Sequence, residues 1–121
     1  MNKPKINVIS FPDKFIEGKI LFNKGEIYNA HIAWEKIWKN GDADVRKNIK
    51  GFIQLTGALL NNSYGKKRSA DYLLKKSIKC LKDADRLPQD VDISLIINQI
   101  ENFILIIKDG ISCGKISPIK I

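Results

Sequence analysis

Apolar residues recur along most of this chain at the three- and four-residue spacing of helices buried on one side, and no strand-like alternation runs longer than KINVI near the start. FPDKFIEGKILFNKG places Pro12 and Asp13 in a first turn and stops at Gly25, which predicts a helix over about 12–24 carrying Phe15, Ile16, Ile20 and Leu21. From Glu26 the series Ile27, Ala30, Trp34, Ile37 and Trp38 predicts a second helix that ends at Asn40-Gly41. Asp42 and Asp44 offer caps for a third, from about 43 to Tyr64 with Gly65 after it, and a fourth runs from Lys66 to Ala84. RLPQDVD interrupts the pattern. A fifth helix over about 92–109 carries Ile93, Ile96, Ile97, Ile100, Phe103, Ile104 and Ile107 before Gly110, and the tail ISCGKISPIKI is extended by its Gly and Pro.

Short connections suit antiparallel helix neighbours, so the expected architecture is an all-α antiparallel bundle of about five helices with short extended N- and C-terminal tails. The Ile-rich ends KINVI and KISPIKI are expected to pack on the bundle or pair with each other. At 121 residues, with 44% hydrophobic and 28% charged, the chain has enough apolar material for one self-standing core and none of the composition of disorder. A single domain spanning 1–121 follows, without internal repeats or low-complexity linkers.

Two cysteines, Cys80 in a helical pattern and Cys113 in the tail, make no CxxC and no paired framework. No apolar run approaches the roughly 18 residues of a membrane span, and the opening MNKPKINVISF is too short in apolar residues for a signal peptide. The expectation is a soluble, cytoplasmic protein without a membrane partner.

One polar set interrupts a core-like helix: His31, Glu35 and Trp38 in HIAWEKIW. On the third helix, at about 100° per residue, Val45, Ile49, Phe52, Leu59 and Leu60 fall on one side, with Gly51, Gln54, Gly57, Ala58 and Asn61 opposite. Glycine inside a helix costs roughly 1 kcal/mol relative to alanine, so a close neighbour is expected there, and Trp34 and Trp38 supply suitable bulk. If these faces meet, His31 and Glu35 come beside Gln54 and Asn61.

The run from Gly18 to about Lys82 resembles a family of small helical bacterial and archaeal proteins, domain of unknown function 309. The resemblance rests on Gly25, Tyr28, Ala30, His31, Glu35 and Trp38, then Gly51, Gln54 and Ala58, then Gly65, Arg68, Ala70, Leu73 and Leu74. It implies a helical bundle and a focal point around these residues, and no particular reaction. The chain departs from the family pattern at Ile32, where a Glu is usual, and at Asn61, where a His is often found. Both departures remove a potential metal ligand.

The polar set admits three chemistries. His31 and Glu35 at i and i+4 share a helix face and can offer two metal ligands, but a closed site wants about four, and the neutral amides Gln54 and Asn61 are poor ones. No metal and no cofactor are therefore expected. A half-buried imidazole held by Glu35, with Gln54 satisfying what remains, would be an internal structural cluster. A small-molecule pocket floored by Trp34 or Trp38, oriented by His31, Glu35 and Gln54, is the functional version. No Ser or Cys spacing guarantees reach to His31, which leaves nucleophilic catalysis without a pattern.

Charge changes the picture next. The net charge is +8, and seven basic residues against Asp71 alone fall between Lys66 and Lys82. On the helical wheel Arg68, Lys75, Lys76, Lys79 and Lys82 cluster with Tyr72, opposite Ala70, Leu73, Leu74, Ser77 and Leu81. Such a stripe is a solvated face or a surface for nucleic acid or an acidic partner, with Tyr72 placed to stack. In the fifth helix Leu95, Leu105 and Ile106 point off the core face, to be covered by the ISPIKI tail or by a second copy in a homo-oligomer. The primary reading is a non-enzymatic binding or interaction module. The alternatives are a small-molecule or metal-assisted enzyme centred on His31 and Glu35, and non-specific nucleic-acid or anion binding through the basic helix 66–82.

Overall fold

A computed structural model describes residues 6–108 and 119–121, over which the chain forms five helices: α1 (Phe11–Asn23), α2 (Ile27–Asn40), α3 (Ala43–Ser63), α4 (Lys67–Asp83) and α5 (Ile93–Lys108). The bundle is all-α as its periodicity predicts, and each helix packs mainly on the next in sequence, α3 on α4 most extensively. The expected stop at Gly110, Cys113 and most of the tail lie outside the described residues.

Local chemistry accounts for the helix ends. Asp42 caps α3, its carboxylate accepting from Val45 N at 2.9 Å, while Asp44 sits in the first turn. The α1–α2 and α3–α4 corners share one design. Gly25 and Gly65 hold φ of +86° and +80°, conformations that glycine adopts without strain. Glu26 N and Lys66 N then reach back to Leu21 O and Asn61 O, satisfying carbonyls that the helix itself leaves open.

An aromatic cluster forms the lower core. Trp34 of α2 is fully buried, stacked on Phe15 at 5.4 Å and 12° and packed against Phe22 and Phe52, and its Nε1 donates to Phe15 O at 3.2 Å. The expected helix forms, and its buried face is set by this indole. The helix buries Phe11, Phe15, Gly18 and Phe22 and leaves Ile16 and Ile20 exposed, because the indole must lie flat against its backbone. A Cβ at Gly18 would stand 2.2 Å from Trp34 Nε1.

The expected glycine face of α3 is corrected. Gly51 meets α4 rather than the tryptophans of α2: a Cβ there would lie 2.9 Å from Leu81 Cγ, and Ser77 Oγ donates to Gly51 O at 2.7 Å. Gly57 is under no such pressure, since a Cβ would have ordinary contacts of 3.7 Å to Leu73 Cδ1 and 4.0 Å to His31 Cε1. Helical periodicity says which residues share a side, and it does not say which neighbour arrives there.

Both described chain ends pack on the bundle. Ile6 forms a parallel bridge at the α2–α3 turn, donating to Asn40 O at 2.8 Å and accepting from Asp42 N at 3.1 Å. At the other end Ile119 is buried, Asn23 exchanges hydrogen bonds with the backbone of Ile121, and Gln99 does the same with Lys120. Among the described residues the two ends do not pair with each other.

Candidate functional site

His31 is held at both ring nitrogens. Nδ1 lies 2.7 Å from Thr56 Oγ1 on α3, and Nε2 lies 3.3 Å from Glu35 Oε1 one turn along α2. The Thr56 hydroxyl also reaches Ile53 O at 2.9 Å and Phe52 O at 3.2 Å. Its single proton goes either to these carbonyls, in which case His31 Nδ1–H donates to Thr56, or to Nδ1, in which case the neutral ring carries its own proton on Nε2, facing Glu35. Either way the imidazole ties α2 to α3.

Hydroxyl, imidazole and carboxylate in this order are the components of an activated nucleophile. Here the hydroxyl is sealed, because Thr56 has 0% exposure and no substrate atom can approach its Oγ1. The cluster as it stands is a polar seam between helices. Nothing in the sequence singles out Thr56. A β-branched residue within an apolar helix reads as core filler, and only the register of α2 against α3 brings it to His31.

The expected partners of His31 are distributed differently. Gln54 and Asn61 make no hydrogen bond to it among the described residues, since the register sets His31 beside Thr56 and Gly57 and leaves Asn61 a turn further along α3. Trp34 belongs to the sealed aromatic core and offers no surface to a ligand. Ile32 faces away from His31 into a cleft of about 490 Å³ between α1 and α2, lined also by Lys14, Glu17 and Lys36.

Glu35, Trp38 and Gln54 do come together. With Lys50 and Ile53 they line a cleft of about 230 Å³ in the α2–α3 groove. Trp38 is steadied from α3, where the Arg46 guanidinium sits 5.2 Å from its ring centroid and Nε donates to Trp38 O at 2.9 Å. Gln54 Oε1 is buried without a hydrogen-bond partner. Among the described residues no group of three or more His, Cys, Asp or Glu side chains gathers closely enough to hold a metal ion.

The basic set is presented as the wheel places it. Arg68, Tyr72, Lys75, Lys76, Lys79 and Lys82 are exposed along α4, while Ala70, Leu74, Ser77 and Leu81 are buried beneath. Lys75 pairs with Asp71 at 3.0 Å, and Lys76 Nζ lies 5.4 Å from the Tyr72 ring centroid. On α5, Leu95 and Leu105 are 56% and 59% exposed and Ile106 is half-buried. No helix among the described residues is long and apolar enough to cross a membrane.

The α4–α5 connection is fastened by groups that sequence reasoning missed. Asn48 of α3 is 1% exposed and fully employed: Nδ2 donates to Asp44 O and Asp85 Oδ1, and Oδ1 accepts from Asp85 N and Arg86 N, both at 2.8 Å. Hydrogen bonds from Lys47 and Asn48 hold the Asp85 carboxyl below the usual carboxylate range. Lys19 of α1 does the same for Asp90, at 2.7 Å.

Fold and site together define a small all-α protein with an imidazole seam, an adjoining groove and a cationic helix. Residues 15–73 match the model of the family described as Domain of unknown function (DUF309), which supports the resemblance drawn from the sequence. The matched segment holds His31, Glu35, Trp38 and Gln54, and it ends at Leu73, before Lys75, Lys76, Lys79 and Lys82. No curated protein and no solved structure gives a match.

Proposed function

We propose that this protein is a non-enzymatic interaction module that engages nucleic acid through the outer face of α4, by charge and stacking rather than by sequence readout. The observation that carries this reading is the stripe Arg68, Tyr72, Lys75, Lys79 and Lys82, spaced alternately by four and three residues and exposed throughout. It extends about 21 Å at the helical rise of 1.5 Å per residue. Its base is rigid, because Ser77 and Leu81 lock α4 against Gly51 of α3. The employed ring nitrogens of His31 and the sealed Thr56 hydroxyl favour a structural role for that cluster over acid–base work.

Cations that neutralise phosphates release counterions, so binding should weaken steeply with salt, by roughly 0.7 logarithmic units per phosphate contact for each tenfold rise in salt on a single strand. Fluorescence anisotropy with a labelled single-stranded oligonucleotide at low salt tests this directly. Lys75→Glu, Lys76→Glu and Lys79→Glu together should abolish binding while leaving the melting temperature close to that of the parent. Unchanged affinity in the triple variant would remove the reading.

A further inference from the structure

We infer that the α2–α3 groove is a binding site for a small apolar α-amino acid, independent of the cationic face of α4. Its lining supplies opposite charges that are not spent on each other. Glu35 and Lys50 border the same cleft, yet no ion pair joins them among the described residues, and the one recorded partner of Glu35 is His31. A zwitterion satisfies both at once, its ammonium toward Glu35 and its carboxylate toward Lys50, through charge-assisted hydrogen bonds.

The second observation is the orphan acceptor. Gln54 lines the cleft while its Oε1 is shut from solvent and makes no hydrogen bond, an arrangement that buried polar groups rarely tolerate. The terminal amide turns about a soft torsion, so an incoming ammonium N–H can recover the missing bond without moving the backbone. The remaining wall is apolar: Ile53, and the Trp38 indole already braced by Arg46. A volume of about 230 Å³ is smaller than the roughly 300–1,000 Å³ of drug-sized pockets and suits an amino acid with a short aliphatic side chain.

Nuclear magnetic resonance titration of the full, isotope-labelled chain tests the inference with three matched probes: L-leucine, 3-methylbutylamine, which lacks the carboxylate, and 4-methylpentanoate, which lacks the ammonium. L-leucine should shift the Trp38 indole and Gln54 side-chain amide resonances saturably below about 10 mM, with the sealed Trp34 indole unmoved. Each truncated probe should bind at least about tenfold more weakly. Lys50→Met, at an exposed position that leaves folding intact, should cost a similar factor. Absence of saturable shifts with L-leucine overturns the site. Equal affinity for 3-methylbutylamine, or undiminished binding in Lys50→Met, overturns the zwitterion assignment.

Discussion

The two flanks of α3 are built to different tolerances. Toward the C-terminal half of α4 and the connection after it, the fit is close: Asn48 uses all its hydrogen-bonding capacity, Ser77 donates to the Gly51 carbonyl, and Gly51 has no room for a methyl group beside Leu81. Against α2 there is slack. Gln54 Oε1 has no partner among the described residues and a cleft opens between Glu35 and Lys50, while Gly57, further along α3, has ordinary room for a methyl between Leu73 of α4 and His31 of α2. One helix thus serves as a rigid mount on one side and borders a cleft on the other, and the inferred binding site rests on that second side.

Substitutions can break or sharpen this contrast. The largest loss is expected from Asn48→Leu, which strips the α4–α5 connection of its anchor at a cost of about 2–3 kcal/mol in urea denaturation. Gly51→Ala should follow at about 1–3 kcal/mol, because the added carbon meets Leu81 including its backbone nitrogen at 3.0 Å. Gly57→Ala should act in the opposite direction, stabilising by about 0.5–1 kcal/mol through restriction of the unfolded chain, since its contacts are ordinary. A destabilised Gly57→Ala would show that α3 is as tightly fitted at Gly57 as it is at Gly51.

The smallest effect is expected from acid. Asp85 has its folded-state pKa held below the usual value by the hydrogen bond from Lys47 and then that from Asn48. A depressed carboxylate pKa gives stability that is present above the unfolded value of about 4 and is lost as pH falls through the folded value. The stability difference between the parent and Asp85→Asn should therefore shrink on acidification below about pH 4, as followed by denaturation at successive pH values. A difference that stays constant would place the role of Asp85 in shape rather than charge.

Helix positions were legible because their signals are local. Pro12 and Gly25, Asp42 and Gly65 punctuate the chain within a turn of where the helices begin and end, and the exposed stripe of α4 follows directly from periodicity. Pairings between helices were not legible, because they depend on register and on which neighbour claims a given face. Gly51 and Gly18 show this most clearly: both are demanded by large side chains, but Trp34 reaches Gly18 on α1 and Leu81 takes Gly51. Of the candidate site, Glu35, Trp38 and Gln54 were brought together as their pattern suggests. Thr56 and Asn48 escaped notice because a lone threonine or asparagine within a helix carries no periodic signature of its role. Ile16 and Ile20 follow the helical spacing yet are exposed, since apolar identity alone does not establish burial.

Asn23 and Gln99 grip the last described residues through main-chain N–H and C=O groups, which every amino acid except proline presents alike. Selection acting on this clasp would consequently distinguish backbone from side chain. Positions 120 and 121 feel a weaker demand through their side chains, as Lys120 Nζ donates to Asn23 O and Ile121 packs partly on the core, whereas Ile119 is buried outright and answerable to it. In a set of descendants the clasp would therefore be recognised first by its amide-bearing hosts and the aliphatic at 119, and only faintly by the residues at 120 and 121.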